Sequence, residues 1–207
     1  MKLVFFMCDL IVIEGANFSG KTTVANKLFE IYKSVGKDVV LTKEPGGTQL
    51  GAEIRKYILN GKYPLSQQEI LLGMMFDKAM HINNFILPLM RENKTIICDR
   101  FMKSTYVYQH EIGKIDLEYI KQMYSFILGN YKDFIDKHIY TFVLDVDYEH
   151  IQQRFDKENI NINRFKNNIK DEIEYYKKIH TTDEIHINGN QPASKIVSDI
   201  LKYLPKY

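Results

Sequence analysis

The chain is short of cysteine, proline, charge of one sign and long apolar runs, and each shortage excludes something. Its cysteines are Cys8 and Cys98, far apart and in no CxxC pair. That excludes a disulfide framework or a cysteine-based zinc site and fits a reducing compartment. With 5 Pro and 11 Gly against 45% hydrophobic residues, the composition is globular, not disordered. The 28 Lys+Arg and 26 Asp+Glu nearly cancel, at a formal net charge of +2, so no broad nucleic-acid or membrane-binding face is expected. Asp9 interrupts the apolar start after a run too short for a signal peptide, and no cleavage site follows. No apolar stretch approaches the ~18 residues that span a bilayer. The six histidines lack any metal-ligand spacing. The expectation is a soluble, cytoplasmic protein with residues 1–6 as an extension before the fold.

At 207 residues the length suits one compact domain, 1–207. Strand-like runs alternate with helical periodicity, the pattern of an α/β fold with a parallel sheet. The runs are Leu10–Ile13, Asp38–Thr42, Thr95–Cys98, Tyr140–Leu144 and Ile185–Ile187. Continuous apolar runs of this length suit strands buried on both faces. A helix is expected from Lys21 to Val35, stopped by Gly36. Ser66 and Glu69 form a capping box at the start of a long helix over 66–92. Asp116 caps another helix, 166–180 form one more, and Pro192 sits at the first turn of the last.

Gly15-Ala-Asn-Phe-Ser-Gly-Lys-Thr22 fits G-x-x-x-x-G-K-[ST] between a strand and a helix. Its backbone N–H groups can curl around phosphate oxygens at a helix N-terminus. Lys21 would reach the β/γ-phosphates, and Thr22 would place its hydroxyl on Mg²⁺. Asp99 ends the third strand, where a carboxylate can help hold that ion. Arg100 beside it offers a two-pronged donor to a phosphate. The chain carries 23 Lys but only five arginines: Arg55, Arg91, Arg100, Arg154 and Arg164. Where Lys is the default, each Arg marks a place that needs a planar fork. The clustered charges over 166–178 read as a solvated helix face, and Tyr175 and Tyr176 as packing residues.

Several segments together resemble thymidylate (dTMP) kinases of the bacterial type. They are Ile13-Glu-Gly15 with Ser19-Gly-Lys-Thr-Thr23, Glu44-Pro-Gly-Gly-Thr-Gln-Leu-Gly51, and Asp99-Arg-Phe with Ser104 and Tyr108-Gln109. Asp77-Lys-Ala-Met-His81, Arg164-Phe165 and Gln191-Pro192 extend the match toward the C-terminus.

The resemblance implies an α/β fold: a five-stranded parallel sheet flanked by helices, of the P-loop nucleoside-monophosphate kinase kind. A short lid would cover about 152–166. The implied reaction is transfer of a phosphoryl group from ATP to dTMP with Mg²⁺, in a homodimer formed through the 66–92 helix. ATP would meet Gly15, Ala16, Asn17, Phe18, Ser19, Gly20, Lys21, Thr22 and Thr23, with Arg154 and Gln191. The acceptor dTMP would meet Glu44, Pro45, Arg55, Met74, Lys78, Arg100, Ser104, Tyr108 and Gln109. Catalytic charge would come from Lys21, Arg100 and the lid's Arg164, and the metal would be held by Thr22 and Asp99.

Three positions depart from the family. Asn17 stands where an acid usually contacts the acceptor's 3′-hydroxyl. Lys78 replaces an arginine that contacts the thymine edge, and Met74 a phenylalanine that stacks on the base. They bear on base and sugar selectivity, not on reaction type. The alternatives are a broader nucleoside-monophosphate or deoxynucleoside kinase and a non-catalytic P-loop module. No NKxD guanine motif supports the latter.

Overall fold

The computed structural model describes residues 9–60, 62–157, 166–181 and 183–205. Five apolar, β-branched segments form the strands β1 (Leu10–Glu14), β2 (Val39–Lys43), β3 (Thr95–Asp99), β4 (Ile139–Asp145) and β5 (Glu184–Asn188). They make one sheet in the order β2-β3-β1-β4-β5, every pair parallel. β1 lies at the centre and is buried along its whole length, as its unbroken Leu-Ile-Val-Ile run requires. All five strands fall where the sequence reading expects them, within a residue or two at each end.

Register decides where the function can be. Ile13 pairs with Asp99, and Lys43 pairs with the same Asp99 from the other side. The carboxyl ends of β1, β2 and β3 are therefore level. The glycine loop, the Pro-Gly-Gly turn and the Asp-Arg pair leave the sheet at one edge, where open α/β sheets bind ligands.

The helices are α1 (Lys21–Ser34), α2 (Gln49–Leu59), α3 (Gln67–His81), α4 (Leu87–Arg91), α5 (Met102–Thr105), α6 (Leu117–Leu128), α7 (Lys132–His138), α8 (Tyr148–Lys157), α9 (Lys166–Lys178) and α10 (Ala193–Ile200). α1 buries Val24, Ala25, Leu28 and Tyr32 against the sheet and α10. It ends at Ser34, ahead of Gly36 at φ 75°, which confirms the expected stop. The capping box at α3 is formed: Ser66 Oγ accepts from Glu69 N at 3.3 Å, and Glu69 Oε2 accepts from Ser66 N at 2.7 Å. Asp116 caps α6 through Glu118 N. Pro192 takes the N-cap of α10, one residue earlier than expected, because its ψ of 143° is still extended.

The long 66–92 helix is interrupted by a π-helical turn, Ile82–Ile86, before α4. Pro88 lacks the N–H that would pair with the carbonyl of residue 84, so the coil widens ahead of it. A second π-helical stretch, Tyr106–Ile112, continues α5. Among the described residues no helix is long and apolar enough to cross a membrane.

Candidate active site

The loop after β1 turns sharply at Gly15, where φ is 143° and a Cβ would lie 2.9 Å from Ser19 Oγ and 3.0 Å from the Leu144 carbonyl oxygen. Gly20 reaches φ 95° at the helix start, a conformation that glycine adopts freely. Lys21 is buried at the head of α1. Its ammonium donates to the Ala16 carbonyl oxygen at 2.6 Å and to Ser19 Oγ at 3.4 Å. Burial, and then the nearby Arg100 charge, pull its pKa down to about 7. Thr22 Oγ1 donates to Asp99 Oδ2 at 2.5 Å, while Asp99 Oδ1 is buried without a hydrogen-bond partner among the described residues. An orphaned anionic oxygen beside a hydroxyl is an oxygen donor set that suits a hard cation such as Mg²⁺.

Arg100 holds a left-handed backbone, φ 74°, which a non-glycine residue keeps only when its surroundings enforce it. Its side chain enforces it here. Nη1 donates to Ser104 Oγ and to Tyr176 Oη, each at 3.0 Å, and to the Gly15 carbonyl at 3.3 Å. Nη2 donates to Asn17 Oδ1 at 2.5 Å. The guanidinium also lies over the Tyr108 ring, 5.4 Å from its centroid. Behind it, the fully buried Glu14 closes β1. Glu14 accepts from Phe101 N, Ser104 N, Ser104 Oγ and Tyr176 Oη at 2.6–3.1 Å.

Two cavities meet at this arginine. The larger, about 880 Å³, is lined by the glycine loop from Asn17 through Thr23, by Arg154, and by Asn190, Gln191 and Pro192. Arg154 borders it with Nη1 on the Phe18 carbonyl at 3.1 Å and Nη2 on that of Gly189 at 3.0 Å. The smaller, about 350 Å³, is walled by Pro45, Ile70, Met74, Lys78, Phe101, Ser104, Tyr108 and Gln109. Residues 104, 105, 108, 109 and 112 all face it, one side of the coil that α5 and the second π-helical stretch form. Asn17, Glu44, Arg55 and Arg100 line both cavities. Arg55 is anchored by Nη1 on the Pro45 carbonyl at 2.9 Å.

Every expected site residue from Asn17 to Thr23, with Gln191, Arg154 and the whole expected acceptor set, borders one cavity or both. Gly15 and Ala16 turn beneath them. Two side chains are otherwise engaged. Lys78 ion-pairs with Glu44 and sits 4.5 Å from the Phe101 ring centroid. Glu44 is also bonded to His81 Nδ1 at 2.8 Å, and His81 Nε2 to Thr42 Oγ1 at 2.8 Å. The Ser104 hydroxyl is turned to Glu14. Arg164 and residues 158–165 of the expected lid lie outside the described residues. Arg91 is an exposed residue stacked on Tyr131, away from both cavities.

Three residues of the site have no role that a sequence motif assigns: Glu14, Tyr176 and Glu172. Glu172, on α9, is only 4% exposed. Its Oε2 accepts from Asn17 N at 2.8 Å and its Oε1 from Asn17 Nδ2 at 2.9 Å. The Tyr108 hydroxyl is buried nearby without a well-aligned partner among the described residues. Burial first, with the Glu172 charge adding to it, raises the Tyr108 pKa against the opposing pull of Arg100.

Residues 13–200 match the family model described as thymidylate kinase. The chain is 34% identical over 175 residues to the thymidylate kinase of Wolbachia pipientis subsp. Culex pipiens (strain wPip), covering 82% of this chain and 76% of that protein. It is 37% identical over 136 residues to the thymidylate kinase of Chlamydia muridarum (strain MoPn / Nigg), a match over 66% of each. In three dimensions it is similar to the crystal structure of thymidylate kinase from Ehrlichia chaffeensis, with a TM-score of 0.66 and 27% identity. That superposition covers 94% of this chain and 97% of the other.

Proposed function

The chain belongs to the thymidylate kinase family, and on that premise we propose that it transfers the γ-phosphoryl group of ATP to dTMP, giving ADP and dTDP. The observation that carries this reading is the meeting of two cavities at Arg100, one built on the phosphate-binding loop and one sized for a mononucleotide.

The acceptor phosphate is already an anionic nucleophile, so no general base is required. Catalysis is alignment plus neutralisation of charge on the group in flight. ATP fits the larger cavity, with its phosphates along Gly15–Thr23, Arg154 beside the loop and Gln191 at the far end. dTMP fits the smaller one, its phosphate between Arg55 and Arg100 and its base between Met74 and Phe101, within reach of Ser104, Tyr108 and Gln109. Arg100 borders both cavities and Lys21 the larger one, so both supply positive charge beside the phosphates; the family resemblance adds Arg164 from a lid over about 152–166 within a single domain. Thr22 and Asp99 fit Mg²⁺, which when bound supplies charge neutralisation between the phosphates. A closed lid keeps out water that would hydrolyse ATP.

A homodimer through α3 is supported by exposed Leu72 and Phe76, one turn apart on that helix, with exposed Phe126 on α6, which packs against it. The nucleotide substrates and the sparse cysteines fit the cytoplasm. A broader nucleoside-monophosphate kinase is the second reading, favoured by the Lys78–Glu44 pair. A lysine held there is not free to read the base edge. ADP release that depends on dTMP tests the first reading; release without dTMP, or none with it, overturns it.

A further inference from the structure

Asn17 belongs to the phosphate-binding loop, borders the acceptor cavity and holds a buried carboxylate with its side-chain amide. On the dTMP reading, the acceptor's phosphate lies at Arg55 and Arg100 and its base lies deep in the smaller cavity. The part of dTMP that passes Asn17 is therefore the sugar. As a 5′-monophosphate of a 2′-deoxynucleoside, dTMP has a single free hydroxyl, the 3′.

What Asn17 offers that hydroxyl depends on which way round its amide sits. An amide has an accepting end and a donating end of nearly equal shape. Two charged neighbours decide between them. The Glu172 carboxylate only accepts, and it holds both the backbone N–H and Nδ2 of Asn17. The Arg100 guanidinium only donates, and it holds Oδ1. A flipped amide would set its NH₂ against a guanidinium and its oxygen against a carboxylate. Both contacts would be repulsive in a poorly solvated site.

We propose that Glu172 is a specificity-determining residue that acts through Asn17, locking the amide so that Oδ1 is the atom the sugar meets. The carbonyl oxygen has a second lone pair, so it accepts from a 3′-hydroxyl while Arg100 occupies the first. A neutral asparagine thereby behaves as an acceptor-only group, and the negative charge sits one layer back. The enzyme selects a 3′ substituent that carries a proton. A 3′-fluorine, similar in size and unable to donate, faces Oδ1 lone pair to lone pair.

The test compares kcat/KM for dTMP and for 3′-fluoro-3′-deoxythymidine monophosphate in three proteins. The wild type is expected to prefer dTMP by about tenfold or more, the size of one well-made hydrogen bond to a buried group. In Glu172→Gln the new amide accepts from Asn17 N and sets its own NH₂ against the Asn17 side chain, which favours the flipped orientation. The preference is expected to fall below about threefold, through a higher KM for dTMP and not a lower kcat. In Asn17→Asp/Glu172→Gln the carboxylate stands at the sugar itself, and the preference returns to the wild-type range. A merely structural role for Glu172 would change melting temperature and overall activity but not the ratio between two acceptors of the same shape.

An unchanged ratio in Glu172→Gln, or no restoration in the double variant, overturns the inference. If Glu172→Gln alone does not fold, Asn17→Ala decides: the inference expects the preference to fall below about threefold once Oδ1 is gone, and a preference still in the wild-type range overturns it. The inference rests on the dTMP reading, and the outcomes separate the two. Wild-type protein that fails to phosphorylate dTMP overturns both, while brisk dTMP turnover with an unchanged ratio overturns this inference alone.

Discussion

The Lys21 ammonium donates to the carbonyl oxygen of Ala16 at 2.6 Å, curled back onto the loop that precedes it. Burial and the Arg100 charge bring its pKa down to about 7, so it is only part-protonated near neutrality. Phosphate oxygens bound at the loop reverse the local field and lift it toward 10.5, the ordinary value. ATP binding at about pH 8 is therefore expected to take up on the order of one proton, and almost none at about pH 6. Calorimetric titration in buffers of different ionisation enthalpy measures that uptake. Equal uptake in Lys21→Met would contradict the assignment. The same depression favours the unfolded chain's proton affinity between pH 7 and 10.5. This residue's contribution to stability thus rises with pH across that window and is lost as pH falls through 7.

Asp99→Asn keeps an oxygen for the Thr22 hydroxyl but removes the charge on the orphaned Oδ1. Turnover is expected to fall by about ten- to a thousandfold, the range for losing one preorganised electrostatic group. The Mg²⁺ concentration for half-maximal rate should rise, with little change in melting temperature. A Mg²⁺ dependence identical to wild type would remove Asp99 from the metal site.

The Lys78–Glu44 pair is buried and closed by His81, so losing one partner strands a charge. Lys78→Met is expected to cost about 3–5 kcal/mol by denaturant unfolding, and adding Glu44→Gln should recover part of it. Burial alone would raise the Glu44 pKa, but Lys78 and His81 outweigh it and hold it below 4.5, the ordinary value. Its contribution is present above that value and is lost as pH falls through the lower, folded one. A Lys78→Met protein as stable as wild type would show that the pair is surface-like.

A feature is readable from sequence when its cause is local. The strands are readable because buried parallel strands are written as unbroken apolar runs, and the phosphate-binding loop because its chemistry is a local spacing. The widened coils at 82–86 and 106–112 answer to a downstream proline and to tertiary packing, which periodicity does not register. Glu14 did carry a signal: an acid closing a wholly apolar strand needs buried donors. Glu172 lies beside Asp171 and near Glu174, inside a charged run that reads as a solvated face. Yet it falls three residues after Ile169 and four before Tyr176, both buried, and so on the inward stripe of α9. Helical spacing, not composition, was the clue.

Leu72, Phe76 and Phe126 are 60%, 54% and 87% exposed on neighbouring helices. Covered by a second copy, they would account for an apolar surface that a monomer has no use for. Sedimentation velocity is expected to give a dimer for the wild type and a monomer for Phe76→Glu/Phe126→Glu. A monomeric wild type would reject the dimer, and a double variant that stays dimeric would move the interface elsewhere.

The proposed function puts dTMP in the smaller cavity and ATP in the larger one, with phosphoryl transfer across Arg100. A coupled ADP assay across a panel of nucleoside and nucleoside-monophosphate acceptors decides it. ADP is expected only when an acceptor is present, with kcat/KM highest for dTMP and modestly lower for dUMP, since one buried methyl is worth ~1–3 kcal/mol. ADP release independent of acceptor, or higher kcat/KM for dCMP, dGMP or an unphosphorylated nucleoside, would contradict it.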